Sequence, residues 1–281
     1  MPTVLSIQSQ VADAKVGNSA AVFVFERLGV EVIALPTVLF ARRPDRGPPG
    51  GGAAPAAWLR DMLAQLEDAG RLAAVDVVLS GYLGAPEQVE AVRDAVRLVR
   101  AANPAAVYVC DPVLGDTDRG LYAKPEVAEG IRAVLAPAAD LLTPNIFELG
   151  WITGRNVSSI PSACAAAREL GKAMLITSAP TPGGLATLYC DAARTFAVST
   201  RELPDPPKGA GDVLAALFLA QRLHGMGIAE ALGHAVAAVY DLIAAAERCG
   251  DLPLVAQQDL LLRPRSRPQR LTPPDAETGR D

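Results

Sequence analysis

"VDVVLSGYLGAPEQVEAVRDAVRLVRAANPAAVYVCDPVLGD", residues 75–116, reads as strand, helix, strand. A β-rich apolar run at 75–83 gives way to helical periodicity over 86–101 and then to a second β-rich run at 106–114. The same kind of run recurs at 3–7, 30–39, 139–145, 173–178 and 185–190, with helical stretches at 17–28, 55–69, 124–135 and 161–170. Repeated strand–helix–strand alternation implies an α/β fold whose central, mostly parallel sheet is covered by helices on both faces. Ligands of such folds gather at the carboxyl ends of the strands.

Polar groups stand at those ends: Ser9, then Ser80 to Gly84 with Tyr82 among them, Asp111 and Asp116, Asn145 and Glu148, and Thr177 with Ser178. Each also has a plainer explanation. Asp111 before Pro112 suits a turn, and Asn145 behind Pro144 suits a helix N-cap. Their repetition at strand ends is what points to a site.

The 281 residues, half of them hydrophobic, suffice for one large α/β domain or two small ones, and a single domain over 1–262 is expected. A net charge of −5 speaks against a nucleic-acid or membrane-surface partner, which would need clustered Lys and Arg. No apolar stretch approaches the roughly 20 residues that cross a bilayer, and the N-terminus lacks the pattern of a secretory signal, so a cytoplasmic protein with a small-molecule site is expected. Cys110, Cys164, Cys190 and Cys249 have no metal-site spacing and read as buried thiols. With only His224 and His234 available, both on predicted helices and read as surface or packing residues, proton transfer falls to a carboxylate. The Gly-, Pro- and Arg-rich segment 41–55 reads as a mobile loop, either a lid or a surface insertion. Residues 263–281 are too poor in apolar groups to offset their ordering entropy and read as a disordered tail.

The carboxylate best placed for chemistry is Asp212, in "DPPKGAGDVLAALF" (205–218). Gly209 and Gly211 let backbone N–H groups turn inward just before an apolar helix, forming an anion hole. A carboxylate at its mouth is held ionised by the helix dipole and can take the proton of a hydroxyl that attacks a phosphoryl group. A capping aspartate is the alternative for this motif alone. Asp111, Asp116 and Glu148 add carboxylates of the kind that hold Mg²⁺ beside phosphate oxygens. No GxxxxGK[ST] is present, and no GxGxxG follows the first strand, which removes a P-loop and weakens a dinucleotide-binding reading.

These segments resemble the ribokinase-like kinases, and within them the pyridoxal kinases, over roughly residues 3–262. "SIQSQVADAKVGNSAA", "VLSGYLG", "YVCDPVLGD", "LTPNIFEL" and "KGAGDVLAALFLA" carry the likeness. It implies ATP-dependent phosphorylation of the 5'-hydroxymethyl group of pyridoxal by a homodimer using Mg²⁺ and helped by a monovalent cation such as K⁺. It implies that Asp212 is the base and that Gly209, Ala210 and Gly211 offer N–H donors to the transferred phosphate. Ser9 would hydrogen-bond the pyridine ring and Tyr82 pack on it. Asp111 and Glu148 would handle metal and phosphate charge, with Asp116 and Asn145 close by, while Thr143, Thr177 and Ser178 line the nucleotide side. The chain departs from the resemblance where relatives carry Ser-Asn-His-Thr, having Ala41, Arg42, Arg43 and Pro44 instead, and at Gln10, where a histidine is usual. Vitamer preference is therefore left open. A hydroxymethylpyrimidine kinase and a catalytically weak vitamin B6-binding or carrier protein are the alternatives.

Overall fold

Thr3–Val11 (β1) is buried at all but one position, with Val4 and Leu5 wholly enclosed, as expected of a strand covered on both faces. It is the centre of one of two compact units seen in this computed structural model, which describes residues 1–246 and 250–272. The first unit takes in Met1–Gly115 and Leu121–Asp140, the second Asp116–Gly120 and the chain from Leu141 onward. One domain is expected over 1–262 from the sequence, and the described chain divides into two units.

In the first unit the chain runs through α1 (Asn18–Arg27), β2 (Glu31–Phe40), β3 (Gly51–Ala53), α2 (Ala56–Asp68), β4 (Val77–Ser80), α3 (Glu87–Ala102) and β5 (Val107–Cys110). It closes with α4 (Pro125–Gly130), a π-helical turn over Ile131–Leu135 and α5 (Ala136–Ala138). β1 pairs in parallel with β2 and β4, and β4 in parallel with β5. Val89, Val92, Val96 and Val99 form the buried stripe of α3, at the three- and four-residue spacing that brings side chains to one helix face. The segment 41–55 differs from the expected loop. Its far end returns as β3, antiparallel to β2, after a 3₁₀ turn at Pro44–Arg46. Gly51 is what permits this return. Its φ is 82°, and a Cβ there would fall 1.9 Å from the carbonyl oxygen of Leu39.

The second unit contains β6 (Leu141–Leu142), α6 (Ile146–Thr153), α7 (Ile160–Leu170), β7 (Ala173–Thr181), β8 (Gly184–Cys190), β9 (Thr195–Arg201), α8 (Ala210–Leu223), α9 (Ile228–Ala244) and β10 (Gln269–Leu271). β6 and β7 are parallel, as strand–helix–strand alternation requires. β7, β8 and β9 are antiparallel, because Pro182 and Gly183 alone join β7 to β8 and only 191–194 join β8 to β9, too short for a crossover, and β10 pairs antiparallel to β9.

Within the segment from 263 expected to be disordered, residues 263–272 are structured. The buried Asp241 accepts from the N–H groups of Arg265 and Ser266 and from the Ser266 hydroxyl, and β10 pairs with β9. Hydrogen bonds, not apolar burial, hold it. Residues 273–281 lie outside the described residues, as does Cys249. Cys110, Cys164 and Cys190 are buried free thiols, as expected. His234 bonds through Nε2 to the Leu261 carbonyl, a packing role, and His224 sits at the C-cap of α8.

Candidate active site

In the second unit the chain enters α8 through Gly209, whose φ of 98° is a left-handed conformation that glycine adopts without strain. Ala210, Gly211 and Asp212 then form the first turn, where backbone N–H groups have no intrahelical partner. The helix is fixed from behind: every residue from Val213 to Gln221 is buried. Ala210 and Gly211 line a cavity of about 200 Å³ together with Thr177 and Ser178. A helix N-terminus opening on a cavity of this kind suits an anionic group.

Thr177 and Ser178 reach the cavity through a β-bulge. The register of β7 against β8 slips between Ala186 and Leu188, so two residues of β7 oppose Thr187. Ser178 takes a φ of 61°, a conformation costing a non-glycine residue about 1–3 kcal/mol. Bulges of this sort re-aim side chains beside functional sites. Thr177 also donates its N–H to the Pro144 carbonyl and forms a parallel bridge with Asn145, which brings the Thr143–Glu148 segment alongside.

Asn145 and Glu148 form a capping box on α6: Asn145 Oδ1 accepts the Glu148 N–H and Glu148 Oε2 accepts the Asn145 N–H, each at 2.9 Å. The helix-cap reading of Asn145 holds, and the strand expected over 139–145 runs only over Leu141–Leu142. Next to it, Thr143 Oγ1 is buried without a hydrogen-bond partner.

Asp116 belongs to the same unit and is occupied. Its Oδ2 receives Lys208 Nζ at 2.7 Å and its Oδ1 the Arg119 N–H at 2.9 Å. Burial pushes the Asp116 carboxyl up, but the Lys208 hydrogen bond, the Arg119 N–H and the charges of both residues outweigh this and hold it below the ordinary carboxylate range. Lys208 immediately precedes Gly209, so this pair ties the anion-hole loop to the 116–119 turn. Sequence reading missed Lys208. No group of three or more His, Cys, Asp and Glu side chains that could hold a metal exists among the described residues.

In the first unit, Ser9 lies near the carboxyl end of β1, and Tyr82 and Asp111 follow the ends of the neighbouring strands β4 and β5. The Gly81 N–H bonds to the Ile7 carbonyl and the Asp111 N–H to the Ser80 carbonyl. Ser9 sits where the β1–β2 register slips, and Gly17 presses against it. Beneath lies a buried chain of side chains, Gln8 Nε2 to Ser6 Oγ and Ser6 Oγ to Asn18 Oδ1. Tyr82 is half-buried, which pushes its hydroxyl up, and its carbonyl accepts the Thr37 hydroxyl at 2.6 Å.

A family model described as phosphomethylpyrimidine kinase matches residues 17–254. The chain is 39% identical over 272 residues to pyridoxal kinase PdxY of Leifsonia xyli subsp. xyli, an alignment covering 93% of this chain and 96% of that protein. Among solved structures, pyridoxal kinase from Leishmania donovani in complex with ADP and pyridoxamine superposes with a TM-score of 0.87 at 30% identity, over 96% of this chain and 99% of that one. Pyridoxal kinase from Entamoeba histolytica superposes with a TM-score of 0.91 at 22% identity over the same shares, a likeness of fold alone.

Proposed function

This chain belongs to the phosphomethylpyrimidine kinase family, with the ribokinase-like α/β fold, and we propose that it is a pyridoxal kinase, making pyridoxal 5'-phosphate from pyridoxal and ATP. The observation that carries this reading is the left-handed Gly209 delivering Ala210, Gly211 and Asp212 to a helix N-terminus on the cavity that Thr177 and Ser178 also line. In this reading Asp212 takes the proton of the 5'-hydroxyl as its oxygen bonds to the γ-phosphorus. The bond from that phosphorus to the bridging oxygen breaks, and ADP leaves. The N–H groups of Gly209, Ala210 and Gly211 hold the phosphoryl oxygens. Ser9 orients the pyridine ring and Tyr82 packs on it, while Thr143, Thr177 and Ser178 line the nucleotide side.

The donors present suit hard cations. Asp111 and Glu148 are carboxylates less than a tenth exposed, and Thr143 Oγ1 is a buried oxygen with no partner. Mg²⁺ is usually held by one or two carboxylates, with water and phosphate oxygens completing its shell. Asp111 and Glu148 would hold Mg²⁺, with Asn145 close by and a monovalent cation such as K⁺ assisting. Bound Mg²⁺ would neutralise the phosphate charge. Asp116 acts through Lys208 in this reading and is no ligand. The same reading makes the protein a cytoplasmic homodimer. Among the described residues no helix is long and apolar enough to cross a membrane.

The family description itself favours a second reading, phosphorylation of a hydroxymethylpyrimidine. Purified protein with Mg-ATP, offered pyridoxal, pyridoxine, pyridoxamine and hydroxymethylpyrimidine in competition, separates them. Preferential phosphorylation of pyridoxal is expected. Turnover of the pyrimidine in its place moves the protein to the second reading, and tight pyridoxal binding without turnover makes it a carrier.

A further inference from the structure

Gln88 is wholly buried at the start of α3, and its whole amide is used. Oε1 accepts the N–H groups of Gly84 at 2.8 Å and Ala85 at 3.3 Å, and Nε2 donates to the carbonyls of Thr37 and Ala54, both at 2.7 Å. Two donors and two lone pairs are the full capacity of a side-chain amide. One residue therefore joins three segments: the loop that carries Tyr82, strand β2, and the end of the β2–β3 hairpin. The Thr37 hydroxyl, itself buried, holds the Tyr82 carbonyl from the other side. The loop also presses on the hairpin, since a Cβ on Gly84 would lie 2.5 Å from Val38 Cγ1 and 3.0 Å from Ala53 Cβ.

We propose that Gln88 is a positioning residue for the acceptor: by bonding residues 84 and 85 to Thr37 and Ala54, it sets where Tyr82 presents its ring to an aromatic substrate. This rests on the reading of Tyr82 as the residue that packs on the pyridine. Gln88 acts through Tyr82 and touches no substrate. A merely structural role would lower thermal stability and affect both substrates alike, whereas a positioning role acts on the acceptor.

Two variants test it. Gln88→Glu keeps both acceptor bonds and loses both donor bonds, and Gln88→Leu loses all four. Steady-state formation of pyridoxal 5'-phosphate is measured with each substrate varied in turn, on protein shown to be folded by a cooperative melt. The pyridoxal KM is expected to rise about fivefold or more, the scale of a lost buried hydrogen bond, with kcat and the ATP KM within about twofold of wild type. In Gln88→Glu the pyridoxal KM, relative to wild type, should fall as pH is lowered, because the protonated carboxyl regains a donor toward those carbonyls. An unchanged pyridoxal KM in folded variants, or equal rises for both substrates, overturns the proposal. If neither variant folds, Thr37→Val, which removes only the hydroxyl bond to Tyr82, decides it by the same split. Wild type that makes no pyridoxal 5'-phosphate overturns the kinase reading and this role with it. Active wild type with unaffected variants overturns this role alone.

Discussion

Lys208 Nζ lies 2.7 Å from Asp116 Oδ2 although the two residues are 92 positions apart, and the lysine is the residue before the left-handed Gly209. Neither side chain is deeply buried, so the pair is worth about 0.2–1 kcal/mol to stability, less at high salt. Its greater effect is expected on the loop it holds.

Because the folded Asp116 carboxyl titrates below its ordinary value, its stabilising contribution is complete above the unfolded-state pKa of about 3.9 and is lost as pH falls through the lower folded value. Asp116→Asn should therefore be slightly less stable than wild type at neutral pH and equally stable in strong acid, which urea unfolding at several pH values will check. Kinetically, Lys208→Met and Asp116→Asn should each raise the ATP KM, and the double variant should be no worse than the worse single one. Additive effects would mean that the pair does not act as a unit.

Gly17 has a φ of 52°, and a Cβ there would stand 2.2 Å from Ser9 Oγ and 2.4 Å from the Ser9 carbonyl oxygen. The hydroxyl could swing aside, but the Ser9 carbonyl oxygen is backbone and cannot. Gly17→Ala is expected to cost about 2 kcal/mol or more in denaturant unfolding, since strain and a clash add. By displacing Ser9 it should also raise the pyridoxal KM more than the ATP KM.

Asp212→Asn keeps the size of the side chain and removes its ability to take a proton. Turnover should fall by about 10²-fold or more while pyridoxal affinity, followed by equilibrium titration, changes little. Unaltered turnover would leave Asp212 a helix-capping residue and nothing more.

The parts of this molecule legible in its sequence are those with local patterns. Residues 75–116 show strand, helix and strand because apolar spacing records burial directly, and the Asn145 cap is written in four consecutive residues. The run at 185–190 marks β8, but the antiparallel strands β9 and β10 carry no such signal. "TFAVSTR" (195–201) has only three consecutive apolar residues, and β10 has a single apolar residue, Leu271, and is held by pairing. The Lys208–Asp116 pair and the four bonds of Gln88 join segments distant in the chain, and Gln88 on an apolar helix face gives no local sign of its partners. Ser178 in a left-handed conformation is likewise set by the bulge against β8 and not by its own neighbours.

Asp241 shows how a polar segment is ordered without a core. It is 9% exposed and receives three hydrogen bonds from Arg265 and Ser266, which anchor the chain so that β10 can cover the edge of β9. Asp241→Ala leaves two backbone N–H groups and a hydroxyl without their acceptor and should cost about 1–3 kcal/mol in urea unfolding, whereas Ser266→Ala should cost about 1 kcal/mol. Amide exchange in 263–271 should quicken in the Asp241 variant, because local opening no longer breaks those bonds. Among the described residues none beyond 262 lines the cavity that Thr177, Ser178, Ala210 and Gly211 share, so turnover at low temperature should survive the substitution. A loss of turnover at a temperature where the protein stays folded would mean that the C-terminal segment supports the site and does not merely seal the sheet edge.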